Sequence, residues 1–103
     1  MKRFVIERHI PGVGHLNAAQ YKELAATSNA AVAKLAGQVQ WMHSHIAADN
    51  TFCVYLGLSE DLIREHSRLA GFPITRVNEV VTVIDPMTAF SCRGRSPRPP
   101  PFA

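Results

Sequence analysis

The sequence predicts an α+β fold: a four-stranded antiparallel sheet with two helices on one face, in the order β-α-β-β-α-β. Three observations predict it. Four segments, at residues 3–9, 38–47, 51–57 and 77–84, alternate or run apolar as strands do. Two segments between them repeat apolar residues at helical spacing. The junctions carry glycine, proline or a helix-capping residue.

Residues 3–9 (RFVIERH) form the first strand, and Pro11, Gly12 and Gly14 break it. Asn17 suits a helix N-cap, with Gln20 three residues on as in a capping box, and Leu16 and Tyr21 stand where a hydrophobic staple would. Tyr21, Leu24, Ala25, Ser28, Val32 and Leu35 then give a narrow stripe rich in small residues, and Lys34 and Gly37 suit its end. Residues 38–47 and 51–57 follow as a hairpin turning at Ala48, Asp49 and Asn50. Ser59 caps the second helix, with Glu60 and Asp61 at its positive end. Leu62, Ile63, His66, Leu69 and Ala70 form its stripe, and Gly71 and Pro73 stop it. Residues 77–84 (VNEVVTVI) are the last strand, ended by Asp85-Pro86. This order is the ferredoxin-like split βαβ, whose central strands are the first and third.

A chain of 103 residues is one domain, here residues 1–90. It buries roughly 60–65% of its unfolded surface, enough for a modest core. Residues 91–103 (SCRGRSPRPPPFA), rich in proline and arginine, read as a disordered tail. The net charge of +3 belongs to that tail: without Arg93, Arg95 and Arg98, eight Lys and Arg balance eight Asp and Glu. The folded part therefore shows no basic footprint for nucleic acid. No apolar stretch is long enough to span a bilayer, so no membrane partner is expected. The apolar run Phe4-Val5-Ile6 is too short for a secretory signal. Two cysteines, Cys53 and Cys92, make no disulfide framework, and a cytoplasmic protein with free thiols is expected.

Residues 39–56 (VQWMHSHIAADNTFCVYL) are the most informative for function. His43 and His45 are two apart on a strand, so both imidazoles leave the same face, with Cα atoms about 6.5–7 Å apart. Both rings can reach one divalent metal, and imidazole binds nickel, zinc and copper. Two hydrogen-bonded histidines at an interface would give the same pattern. Glu7 and His9 share a face of the first strand, where a carboxylate can ligate, orient an imidazole or act as a general base. His66 lies on an apolar helical stripe, where a buried, hydrogen-bonded imidazole is the simpler reading. Cys53 reads as a buried, inert thiol, and Trp41 and Tyr55 as packing or dimer anchors.

Alternation assigns Phe4 and Ile6, with Phe52, Val54 and Leu56, to the helix-facing side. Val5, Glu7, His9, Cys53, Tyr55, Trp41, His43 and His45 then share the open side. The last strand is apolar on both faces, with Val77, Val81 and Val83 alternating with Val80 and Ile84. A covered open face, and hence a two-fold homodimer, is expected.

Several runs together resemble a known family. They are Val5-Ile6-Glu7-Arg8 with Pro11-Gly12, the 39–56 stretch, Ile63-Arg64-Glu65-His66 with Ala70-Gly71-Phe72-Pro73, and Asn78-Glu79-Val80 with Val83-Ile84-Asp85-Pro86. The family is a small bacterial one of unknown function that includes a nickel-binding ferredoxin-like protein. The resemblance runs to about residue 90. It implies a dimer with histidine ligands, carried onto His43, His66 and, approximately, His9.

The first expectation is a small cytoplasmic protein that binds nickel or a similar divalent ion. His43 is its central ligand, with His45, His9, His66 and Glu7 as candidate partners. One alternative is a small-molecule-binding domain or enzyme, with Glu7, His9 or His43 as acid or base beside a pocket. The other is an interaction module whose histidines are incidental. No nucleophile–base–orienter set is readable in the sequence.

Overall fold

In the computed structural model, which describes residues 1–90, the elements follow the expected order. They are β1 (Lys2–His9), α1 (Ala18–Ala33), β2 (Val39–Ile46), β3 (Asn50–Gly57), α2 (Glu60–Ala70) and β4 (Arg76–Glu79). Short 3-10 turns occupy Val13–His15 and Pro86–Phe90. The strands lie in the order β2-β3-β1-β4, all pairs antiparallel, so β1 and β3 are central. This is the ferredoxin-like α+β arrangement. The reading of residues 91–103 as a tail, Cys92 included, lies outside the described residues.

Local chemistry sets the helix ends where the sequence places them. Asn17 Oδ1 accepts from the Gln20 backbone N–H, and Gln20 Oε1 accepts from the Asn17 N–H, both at 2.9 Å. Ser59 Oγ accepts from the Leu62 N–H, and Gly71 closes α2 in the left-handed region at φ 75°. Among the described residues, no helix is long and apolar enough to cross a membrane.

Two expectations about the sheet are corrected. First, β3 faces the other way. Phe4 pairs with Tyr55 and Ile6 with Cys53, and directly opposed residues share a face. Cys53 and Tyr55 therefore join Phe4, Ile6, Leu35, Val39 and Ile63 in the core under the helices. Phe52, Val54 and Leu56 turn to the open face. The reason is that β3 is apolar in both phases, so its pattern does not choose between them, and a one-residue change of phase exchanges the faces. In β2 the register shifts between Trp41, opposite Tyr55, and His43, opposite Val54. That bulge reverses the parity: Trp41 joins the helix side, while His43 and His45 stay on the open face.

Second, β4 has four residues rather than eight. Glu79 pairs with Phe4, and the Val80 N–H donates to the Arg3 carbonyl at 2.8 Å. β1 begins at Lys2, so little strand is left for later residues to pair with. Val81 is 95% exposed, and Val83 and Ile84 are exposed with it.

Candidate functional site

The open face carries the histidine pair. His43 and His45 rings stand 5.0 Å apart, centroid to centroid, and nearly perpendicular at 88°. Both are exposed, and neither imidazole hydrogen-bonds to another described residue. Across the sheet His45 lies opposite Phe52, and Phe52 lies opposite Glu7. Phe52 thus separates the histidine pair from Glu7 by two strand spacings, about 9–10 Å.

Glu7 and His9 form their own small network. Glu7 Oε2 accepts from Asn50 Nδ2 at 3.0 Å, which leaves Asn50 Oδ1 facing His9 Nδ1 at 3.3 Å. A carbonyl oxygen only accepts, so this contact makes Nδ1 the protonated nitrogen of His9. The structure therefore brings His43 to His45 and His9 to Glu7, but keeps the two pairs apart. His66 is elsewhere: it is fully buried beneath α2, on the helix side. Among the described residues, no three or more His, Cys, Asp or Glu groups are placed to hold one metal ion.

The covered face carries a second site that the sequence reading missed. A cavity of about 230 Å³ lies between α1 and the β2–β3 half of the sheet. Its walls are mostly apolar, with Tyr21, Leu24, Trp41, Ile46 and Tyr55 among them. Arg8 also lines it, although that side chain is only 1% exposed. Arg8 Nη1 donates to Ser67 Oγ and to the Pro73 carbonyl, both at 2.9 Å. Its Cζ sits 5.2 Å from the centre of the Phe72 ring, a cation–π contact. Nε and Nη2 are buried and make no hydrogen bond of ordinary geometry, although the Tyr55 hydroxyl lies close enough to interact with the guanidinium. The ion pairs among the described residues are Lys2–Glu79, Arg64–Glu60 and Arg68–Glu65, and Arg8 enters none of them. One signal could have found Arg8. In β1 the inward positions run Phe4, Ile6, Arg8, an arginine where the alternation asks for an apolar residue.

A polar chain adjoins the cavity. Tyr55 Oη and Ser28 Oγ are 2.9 Å apart, and His66 Nε2 lies 3.3 Å from both the Ser28 hydroxyl and the Ser28 carbonyl. The carbonyl only accepts, so Nε2 is the donor and Nδ1 is left as a buried acceptor without a partner. Burial pushes the Tyr55 phenol above its usual range, against the Ser28 hydroxyl and the neighbouring Arg8 guanidinium, which both stabilise the phenolate. Burial also holds His66 below the usual imidazole range; the Ser28 carbonyl opposes this and the Arg8 charge adds to it. Cys53 is a buried free thiol, 3.5 Å from Thr51 Oγ1.

The comparisons with known proteins agree with the fold. Residues 4–80 match the model of a family described as nickel responsive protein SCO4226-like. The chain belongs to that family. The resemblance read from the sequence agrees at this level. Among solved structures, SCO4226 from Streptomyces coelicolor A3(2) superposes with a TM-score of 0.66 at 15% identity. The match covers 80% of this chain and 99% of that one, and it shows a shared fold. A comparison with curated proteins finds no match.

Proposed function

We propose that the protein binds nickel or a similar divalent ion on the open face of the sheet, through His43 and His45, as a two-fold homodimer. The observation that carries this reading is two exposed imidazoles with centroids 5.0 Å apart on one strand and no hydrogen bond to another described residue. Membership of a family described as nickel responsive supports the choice of ion, since imidazole nitrogen suits nickel. Two imidazoles are half of a four-nitrogen set, and no third ligand of the described chain stands with them. The same pair from a second copy completes the set.

Two features support the second copy. Val5, Phe52, Val54 and Leu56 leave an apolar, incompletely buried centre on the open face. Beyond β4, Val81, Val83, Ile84 and Met87 are exposed among the described residues. Glu7 and His9, held by Asn50, flank this site, and His66 takes no part in it. A cytoplasmic location fits the free thiol of Cys53.

The test is a calorimetric titration of nickel, and of zinc, into the full chain without a histidine tag. The expected result is a Kd of about 1 μM or tighter at one ion per two chains. His43→Ala or His45→Ala is each expected to weaken binding at least about tenfold. Weak binding that neither substitution changes would overturn the proposal, and tight binding by a chain that remains a monomer in sedimentation would overturn its dimeric form.

A further inference from the structure

We infer that the cavity between α1 and the sheet binds a small monocarboxylate with an apolar, ring-sized body, and that Arg8 holds its carboxylate. The inference is independent of the metal reading, because the cavity and the histidine pair lie on opposite faces of the sheet.

The argument starts from charge. A guanidinium keeps its proton in proteins, so Arg8 is buried as a cation. A buried cation is costly unless it is paired and its donors are satisfied. Arg8 enters no ion pair among the described residues. Its two unpartnered nitrogens are not scattered. Nε and Nη2 form one edge of the guanidinium, the side-on fork that matches the two oxygens of a carboxylate. Nη1 is already committed to Ser67 and Pro73, and the Phe72 ring lies against the guanidinium. The fork is thus fixed before a ligand arrives, which lowers the ordering cost of binding.

The rest of the cavity selects the body of the ligand. Trp41, Tyr55, Tyr21, Leu24 and Ile46 present apolar surface. The volume of about 230 Å³ exceeds the roughly 150 Å³ of an engineered cavity that takes benzene, so a ring with an attached carboxylate has room. The other polar groups of the lining, among them Ser28, Ser44, Thr51 and the Tyr21 and Tyr55 hydroxyls, are neutral, and none is a second cation. One guanidinium balances one negative charge, which favours a monocarboxylate over a phosphate carrying a charge nearer two. Ile46 lines the cavity and is 44% exposed, so the cavity reaches the surface beside the β2–β3 turn.

The test uses the full chain in buffer with a metal chelator, so that its outcome does not depend on the histidine pair. Trp41 is the single tryptophan of the chain and lines the cavity, so its fluorescence reports occupancy directly. Benzoate is the first probe, with phenylacetate and hexanoate beside it, and benzamide is the neutral isostere. A saturable change with benzoate below about 10 mM, at one ligand per chain, is expected. Benzamide is expected to bind at least about tenfold more weakly, because it leaves the fork's charge unpaired. Arg8→Lys, checked for cooperative unfolding, is expected to lose at least about tenfold, since an ammonium cannot form the fork. Ala25→Leu fills the cavity while leaving every Arg8 hydrogen bond in place, and is expected to abolish the response.

Three results would overturn the inference. Silence of all three acids with folded protein would mean that the cavity holds water only. Equal binding of benzamide and benzoate would mean an apolar hole with no role for Arg8. Unchanged binding by Ala25→Leu would place the ligand elsewhere.

Discussion

The two faces of the sheet are finished differently. On the covered face Ile6, Tyr55 and Ile63 are sealed by the helices, and the unsatisfied polar atoms lie among them: Arg8 Nε and Nη2, and His66 Nδ1. On the open face the reverse holds. Val5, Val54 and Leu56 are only partly buried, and the histidine nitrogens meet solvent. An inner face complete in apolar packing but short of polar partners calls for a small molecule that brings oxygens. An outer face with free nitrogens around incompletely buried apolar groups is the setting of the proposed ion and second copy. The same strand serves both faces, since Glu7 and Arg8 are neighbours in β1.

The largest effect that tests this contrast comes from adjacent residues of β1. Ile6 is fully buried, and Val5 beside it is not. Ile6→Ala is expected to lower unfolding stability by about 2–5 kcal/mol. Val5→Ala is expected to cost about 1 kcal/mol or less in the monomer, because its side chain is partly hydrated already. Urea denaturation at low and high protein concentration measures both. A Val5→Ala cost that grows with concentration sharpens the contrast, because it shows the open face closing on a second copy. A cost equal to that of Ile6→Ala at every concentration breaks it.

A smaller effect is expected where the two faces meet, at the β2–β3 turn. Gly14 donates its N–H to the Ala48 carbonyl at 2.9 Å, and Gly12 donates to Asp49 Oδ1 at 2.9 Å. A Cβ on Gly14 would lie 2.6 Å from the Ala47 carbonyl oxygen and 2.8 Å from Ala48 Cα, both backbone atoms with little freedom to move. Gly14→Ala is therefore expected to cost about 1–3 kcal/mol as overpacking. The hairpin tip would move with it, and Ile10 and Ile46, which line the cavity there, should shift in an amide-proton spectrum. An unchanged melting temperature and spectrum would show that the turn is loose and the cavity wall adaptable.

Much of this was legible in the sequence, and the failures have physical causes. The caps Asn17, Ser59 and Gly71 could be read because each answers a local demand of the helix end. The orientation of β1 was legible because Phe4 and Ile6 alternate with Val5 and Glu7. β3 carries apolar residues in both phases, so its orientation is set by pairing with β1, a long-range fact. The bulge near Met42 is likewise invisible to a period-2 count, and it alone moves Trp41 away from His43. The end of β4 depends on where β1 starts, since Glu79 pairs with Phe4 from the far end of the domain's sequence. Of the site residues, His43 and His45 could be paired by spacing, whereas His66 was read both from its stripe as a core histidine and from the resemblance as a ligand, and it lies in the core. Arg8 needed only the question of why a charge stands third in an inward series.

The smallest effect isolates the covered face by pH. His66 is held below the ordinary imidazole pKa of 6.5, first by burial, with the Arg8 charge adding and the Ser28 carbonyl opposing. The Tyr55 ring, 4.6 Å away, closes the other side of the imidazole. The unfolded chain takes up a proton at this residue more readily than the folded one does. The stability contributed by neutral His66 is therefore present in full above pH 6.5 and is lost as pH falls from there toward the depressed folded value. A series of urea midpoints between about pH 5 and pH 8 should fall on the acid side, and His66→Phe, which keeps a ring in place, should flatten that part of the profile. His43→Phe, made where the side chain meets solvent on the open face, is the control substitution. If His43→Phe flattens the limb and His66→Phe does not, the buried and exposed faces have exchanged the roles assigned to them.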